Sequence, residues 1–141
     1  MKIKDKAYIA GIIDGEGGFC INKFKTGYRP YVSIANTDYR VIKYLQSHIN
    51  GCVMKNKPRK FNHKPVYRLF LNSTAVRQMM DKVLPYLIVK KEQAILVKKA
   101  LKISAQVKHR KGFTGSSNIL QRPKLEILYQ AVKKLNKRGT I

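Results

Sequence analysis

The chain has 141 residues, and its 30 Lys and Arg against seven Asp and Glu give it a formal charge of +23 and a pI near 10.3. Hydrophobic residues make up 44% and recur periodically, which excludes a disordered chain and predicts one domain over residues 1–141 with a core that needs no disulfide or metal staples. The charge predicts a polyanionic partner: DNA, tRNA and rRNA fit it equally well, and a ribosomal-type protein or a membrane-surface binder is the plainer alternative.

The first predicted element is a helix over about residues 4–15, ended by the glycine-rich segment that follows it. Residues four apart in this helix are small, so one of its faces carries only small groups and one carboxylate. Such a face allows a second helix to approach closely. The residues of this face are Ala7, Ala10, Gly11, Asp14 and Gly15.

Short runs of aromatic and β-branched residues predict two β-hairpins, each followed by a helix. The first hairpin comprises Phe19–Lys25 and Tyr31–Asn36, with its turn over Thr26–Pro30. A helix capped by Thr37-Asp38 separates it from the second hairpin. The remaining predicted elements are the strands Cys52–Lys57 and Val66–Leu71, a helix capped by Asn72-Ser73-Thr74, a helix from about Lys91, a basic loop over 107–118 and a helix from near Pro123.

This order predicts an α+β domain in which helices cover one face of a four-stranded antiparallel sheet. Alternation directs Val32 and Ile34 toward the helices and Tyr31 and Ser33 outward. The same reasoning gives the third strand a basic outer face. The expected outward side chains are Asn22, Tyr31, Ser33, Lys55, Lys57 and Arg68.

Cysteine and histidine usage suggests neither a disulfide nor a metal site. Cys20 and Cys52 have apolar or strand-like neighbours, which suits reduced thiols in an intracellular protein. The three histidines lie far apart on different elements. The apolar N-terminal segment is interrupted by acids, so it predicts neither a signal peptide nor a membrane span. We therefore expect an intracellular location, in prokaryotic cytoplasm or in an organelle.

Two scarce carboxylates, Asp14 and Glu16, stand at the end of the first helix. The partial negative charge of a helix C-terminus disfavours an acid there by about 0.3–1 kcal/mol. A bound cation such as Mg²⁺, or a backbone amide taken by one carboxylate, would compensate. On composition alone, two solvated acids in a glycine-rich turn fit equally well.

The nine residues Ile9-Ala10-Gly11-Ile12-Ile13-Asp14-Gly15-Glu16-Gly17 resemble, position by position, the signature of the LAGLIDADG homing endonucleases. The order of hairpins and helices extends the resemblance to about Leu101. It implies an αββαββα core over about 4–103, with a four-stranded antiparallel DNA-binding sheet. The basic loop and helix over 104–141 are then additional C-terminal elements.

The resemblance assigns the catalytic metal to Glu16, where many members have Asp, with Mg²⁺ as the expected cofactor and Mn²⁺ as the alternative. Asp14 is expected to hydrogen-bond backbone near the helix end and to shape the interface. Since one motif supplies one metal-binding acid, cleavage of both strands implies a homodimer joined through the small-residue face and a roughly palindromic target.

Three further residues match catalytic positions of the family. Lys90 stands where members carry an active-site lysine, with Lys91 as the second choice. Asn36 stands where relatives often use Gln, and Arg40 resembles a phosphate-facing Arg. From local sequence alone, the lysines fit a solvated helix entry and Asn36 fits a strand end or a helix cap.

Family members lay the sheet in the major groove of DNA. Arg, Lys and Asn can bond base edges there, whereas loop residues more typically contact phosphates. The predicted DNA contacts are Asn22, Arg29, Tyr31, Ser33, Lys55, Lys57 and Arg68 on the sheet, and Arg59, Lys60 and Lys64 in the basic loop between the last two strands.

These features predict a homodimeric, metal-dependent, site-specific endonuclease, and the resemblance adds that such proteins are usually intron-encoded or intein-encoded and initiate intron homing. Water is the expected nucleophile. The alternatives are an intron-RNA-binding maturase of the same fold without cleavage activity and a non-catalytic DNA-binding regulator.

Overall fold

The computed structural model describes residues 1–58, 60–106 and 121–137. Over these ranges the chain is mixed helix and sheet, which confirms the predicted α+β class. Arg59 and the predicted loop over 107–118 lie outside the described residues. The elements are α1 (Ile3–Glu16), β1 (Gly17–Phe24), β2 (Gly27–Asn36), α2 (Tyr39–His48), β3 (Cys52–Asn56), β4 (Val66–Leu71), α3 (Ser73–Val83), a 3-10 turn (Leu84–Tyr86), α4 (Lys91–Ala105) and α5 (Arg122–Leu135).

The four strands form one antiparallel sheet in the order β1-β2-β4-β3. Alternate residues of its strands are buried, as at Phe19, Val32 and Leu69, and they pack with the helices into one hydrophobic core. Leu125 and Val132 of α5 belong to the same core, so the C-terminal helix is packed on the rest of the chain.

The first hairpin turns earlier than predicted. Lys25 and Thr26 form a two-residue turn, and β2 begins at Gly27, whose φ of 144° favours glycine. Pro30 therefore lies inside β2 rather than in the turn. Its carbonyl points away from β1 and accepts a hydrogen bond from the Ser73 hydroxyl at 2.7 Å. β4 does not pair with β2 at this residue, so the missing N–H of Pro30 removes no hydrogen bond from the sheet.

The prediction that Lys55 shares the outer face with Arg68 is wrong. The β3–β4 register pairs Lys55 with Tyr67 and Met54 with Arg68, so Lys55 lies on the helix side of the sheet. Its ammonium lies over the Tyr67 ring, 5.8 Å from the centroid. The physical reason is that the phase of β3 is set by pairing with β4, and this phase directs Met54 outward.

One residue predicted for the small-residue face of α1 is also misplaced. Ala10 is fully buried in the core of its own chain, so it offers no surface to a partner. Ala7, Gly11 and Gly15 are exposed. The exposed row of α1 is therefore narrower than the sequence suggested.

Candidate functional site

The motif acid Glu16 is the last residue of α1 and is exposed at the junction with β1. The next residue, Gly17, closes the helix by donating its backbone N–H to Ile13 O. A Cβ at Gly17 would lie 2.8 Å from the same oxygen, so a side chain there would force helix and strand apart. Glycine thus permits the strand to begin directly after Glu16.

The second motif acid, Asp14, binds a loop from the other end of the chain. Its Oδ2 accepts a hydrogen bond from Ile88 N at 2.8 Å, and its Oδ1 accepts one from Lys90 N at 2.9 Å. Partial burial raises the pKa of this carboxyl, but the backbone N–H groups of residues 88–90 and the Lys90 ammonium outweigh it, so the pKa lies below its ordinary value. The predicted backbone bonding of Asp14 is confirmed.

Lys90 is brought to the end of the motif helix. Its ammonium donates hydrogen bonds to Ile13 O at 3.1 Å and to Gly17 O at 2.5 Å. Ile13 lies in the last turn of α1, whose end is the negative end of the helix dipole, and Gly17 directly follows Glu16. The structure thus places the predicted lysine against the backbone at the end of α1 where Glu16 stands.

Asn36 lies at the same end of the sheet as Glu16. The β1–β2 register pairs Gly17 with Ile34, and Asn36 ends β2 two residues later. Its Oδ1 accepts a hydrogen bond from Asp38 N at 2.8 Å, so the side chain organises the entry into α2. This local role is the strand-end alternative that the sequence left open.

Arg40 turns toward its neighbour Asp38. Arg40 Nη2 lies 2.7 Å from Asp38 Oδ2, and the Arg40 side chain is 90% exposed. Asp38 also caps α2 by accepting a hydrogen bond from Arg40 N at 2.9 Å. The guanidinium and backbone N–H of Arg40, with a smaller contribution from Lys64, lower the pKa of Asp38 to about 2. Contact between Arg40 and a phosphate would require this pair to open.

Replacing Arg40 by Gln is expected to raise the pKa of Asp38 toward its ordinary value of 3.8. Because the folded-state pKa is depressed, the pair stabilises the fold above the ordinary value and loses this contribution as pH falls toward 2. A ¹³C NMR titration of the Asp38 carboxyl measures the shift. A smaller change is expected in Lys64→Gln, and an unaltered midpoint in Arg40→Gln would contradict the assignment.

All seven carboxylates lie among the described residues, and five have a partner that explains them. These five pairs are Asp5 with Tyr44, Asp14 with the loop at residues 88–90, Asp38 with Arg40, Asp81 with Lys98, and Glu126 with Lys23. Glu92 lies in the first turn of α4, where the helix dipole favours an acid. Within the described residues, Glu16 is left without such an explanation, since the dipole of α1 disfavours it.

The outer face of the sheet combines aromatic and basic side chains. Tyr31 stacks on Phe70 with ring centroids 5.2 Å apart, and the Arg29 guanidinium lies 5.0 Å from the centroid of Phe24. Partial burial and the neighbouring Cys20 raise the pKa of Tyr31 to about 12, with Arg68 opposing them. The tyrosine therefore stays neutral at physiological pH.

Apart from Lys55, which lies on the helix side of the sheet, and Arg59, which lies outside the described residues, the predicted DNA contacts fall into two groups. Asn22, Arg29, Tyr31, Ser33 and Arg68 share the outer face of the sheet. Lys57, Lys60 and Lys64 are exposed in the connection between β3 and β4. Sequence reasoning missed Met54 and Phe70 on the outer face, and the register of the second hairpin was the signal that could have placed them.

Solved structures of similar shape share this arrangement of elements. The archaeal intron-encoded homing endonuclease I-Vdi141I, solved with DNA, is 20% identical with a TM-score of 0.77, over 97% of this chain and 87% of that one. The homing endonuclease I-CvuI, solved with a DNA target and Mg, is 21% identical with a TM-score of 0.73, over 99% and 90%. The chain has the LAGLIDADG homing endonuclease fold. A third LAGLIDADG structure, I-TnaI, is 20% identical with a TM-score of 0.60, over 96% and 95%.

The similarity to known proteins is found in the fold and not in the sequence. No family model and no curated protein matches the chain. Among the described helices, none combines the length and the apolar character that crossing a membrane requires.

Proposed function

We propose that the protein is a site-specific DNA endonuclease that acts as a homodimer and depends on a divalent metal ion. The observation that carries this proposal is the exposed Glu16 at the end of α1, directly before the Gly17 carbonyl that binds the Lys90 ammonium and at the same end of the sheet as Asn36. A carboxylate in so basic a chain is costly to place beside a polyanion unless a cation lies between them.

DNA as the substrate is supported by the outer face of the sheet. Arg29, Arg68 and Asn22 are exposed there and can donate to or accept from base edges in a major groove. Lys57, Lys60 and Lys64, exposed in the connection between β3 and β4, supply positive charge for phosphates, and the sequence adds Arg59 to this basic segment. The similarly folded I-Vdi141I was solved in complex with DNA, which supports DNA as the partner.

The donor set at Glu16 fits a hard divalent cation. Among the described residues, no three His, Cys, Asp or Glu side chains form a group that could hold a metal. Mg²⁺ does not require such a cage, since one or two carboxylates commonly hold it together with waters and substrate phosphates. Mg²⁺ or Mn²⁺ bound by Glu16 would supply an activated water and stabilise the charge that develops on the phosphate.

The residues of the chain then have separate tasks. Glu16 binds the cation, and Lys90 and Arg40 neutralise charge on the scissile phosphate. Asn36 orients water at the end of β2. A water oxygen forms the new bond to phosphorus as the 3′ oxygen leaves, so no protein nucleophile is needed.

A homodimer is supported by the exposed glycines of α1. A Cβ at Gly11 or Gly15 would have nothing within 4 Å, so neither glycine is required by packing within its own chain. Gly11 lies in the helix interior, where glycine costs about 1 kcal/mol relative to Ala, and Gly15 lies in the last turn. Close approach of a second α1 would explain them, and Ala7 and Asp14 border the same contact. The pair would supply two Glu16 carboxylates, one for each DNA strand.

The test is cleavage of a plasmid library carrying randomised long targets by the purified protein. We expect double-strand breaks at a roughly palindromic site with Mg²⁺ and none with EDTA. A parallel arm measures binding of the protein to a structured intron RNA. Tight RNA binding without cleavage at any target would overturn the endonuclease and favour the maturase. DNA binding without cleavage under any divalent metal would favour a non-catalytic regulator.

A further inference from the structure

The loop at residues 88–90 is held from α1 rather than by burial. Ile88 and Val89 are 85% and 72% exposed, although both are large and apolar. The backbone N–H groups of Ile88 and Lys90 both point to the carboxylate of Asp14. These two charge-assisted hydrogen bonds therefore hold the exposed residues that link the buried Leu87 to the start of α4.

The Lys90 side chain in turn binds the backbone at the end of α1. Its backbone N–H is bound by Asp14, and its ammonium donates to Ile13 O and Gly17 O on either side of Glu16. The two segments therefore hold each other: a side chain of α1 fixes the Lys90 backbone, and the Lys90 side chain binds the end of α1. The lysine has a long, flexible stem, so fixing its backbone limits where its charge can lie.

We propose that Asp14 is a positioning residue that acts on the reaction through Lys90, by holding the Lys90 ammonium at the end of α1 that carries Glu16. This inference rests on the proposed endonuclease function. Two acceptor oxygens are needed because two N–H groups must be bound at once. An Asn at this position has one acceptor, and its amide group would face a second donor.

The decisive experiment is a double-mutant cycle with Asp14→Asn and Lys90→Met, measured by steady-state cleavage of the DNA target. Asp14→Asn is expected to lower kcat by about 10- to 100-fold with little change in KM, as loss of an orienting partner typically does. In the Lys90→Met background the same substitution is expected to cost less than about twofold, because the group it positions is already absent. Multiplicative losses in the double variant would overturn the inference.

The matched control is Asp81→Asn, which removes one negative charge from another exposed carboxylate. Asp81 lies on α3 and pairs with Lys98 at 2.6 Å, away from Glu16 in the chain. We expect its kcat to equal that of the wild type. Asp14 could instead act by stabilising the contact between protomers, and sedimentation of Asp14→Asn tests this alternative. A shift to monomer together with a raised KM would show an interface role and overturn the proposal that Asp14 positions Lys90.

Hydrogen exchange tests whether Asp14 holds the loop at residues 88–90, independently of cleavage activity. Hydrogen exchange of the peptide spanning residues 85–92 is expected to accelerate in Asp14→Asn, because the N–H groups of Ile88 and Lys90 lose a bond partner. Unchanged exchange would show that Asp14 does not hold the loop. If the wild type cleaves no DNA while exchange responds as expected, the endonuclease function fails and the mutual anchoring of Asp14 and Lys90 stands.

Discussion

Replacement of Glu16 by Gln is expected to abolish metal-dependent cleavage and to leave DNA binding intact. A bound metal supplies several kcal/mol of transition-state stabilisation, and each 1.4 kcal/mol is a factor of ten, so a loss of about a thousandfold or more is expected. Glu16 is exposed, so the isosteric amide should not disturb folding. Linearisation of target plasmid measures cleavage, and a gel shift in the presence of EDTA measures binding.

The control for this prediction is Glu92→Gln. Both substitutions remove one negative charge from an exposed position on a helix, but Glu92 lies in the first turn of α4. Its replacement should cost only the helix-dipole contribution of about 0.3–1 kcal/mol in stability and leave the rate unchanged. Wild-type cleavage by Glu16→Gln would exclude this carboxylate as the metal ligand.

The helices could be predicted because their signals are local. Thr37-Asp38 and Asn72-Ser73-Thr74 were predicted as caps from their position before apolar periodic runs. Within them, Asp38 and Asn72 accept the capping hydrogen bond, from Arg40 N and Ala75 N. Pro30 was assigned to a turn for an equally local reason. Its place inside β2 depends on where β4 stops pairing, which is a long-range fact that no short window contains.

The facing of β3 could not be predicted for a related reason. Of its five residues, only Val53 is even partly buried, so alternation between apolar and polar residues carries no information about which side faces the core. Register with β4 decides it, and Lys55 falls on the helix side. In β2 the buried Val32 and Ile34 set the phase clearly, and there the outward placement of Tyr31 and Ser33 agreed with the structure.

The site was predicted from the sequence only where its residues stand out in their local sequence. An acid at a helix C-terminus in a basic chain is visible as a local contradiction, and this identified Asp14 and Glu16. The hydrogen bond between Asp14 and Lys90 joins residues 76 positions apart, and no periodicity reports such a contact. The family resemblance placed Lys90 near the motif, but the mutual anchoring follows from the structure.

The strongest test of the homodimer is Gly11→Leu. A side chain at this position meets nothing within 4 Å of its Cβ in the chain itself, and leucine favours a helix over glycine by about 0.5–1 kcal/mol. Each protomer should therefore fold at least as well as the wild type. If two α1 helices pack through this row, each leucine destabilises the contact by about 1–3 kcal/mol. A two-fold symmetric dimer contains two such leucines, so the cost is incurred twice.

We therefore expect Gly11→Leu to give a helical monomer by circular dichroism and sedimentation, with double-strand cleavage lost at concentrations where the wild type is active. Gly51→Ala should show the opposite pattern, because its Cβ would lie 2.6 Å from Leu71 Cδ2 and 2.7 Å from Leu69 Cδ1 inside the core. That variant should lose about 1–3 kcal/mol of stability and remain dimeric while folded. A dimeric, fully active Gly11→Leu would show that the exposed row of α1 is not the contact between protomers.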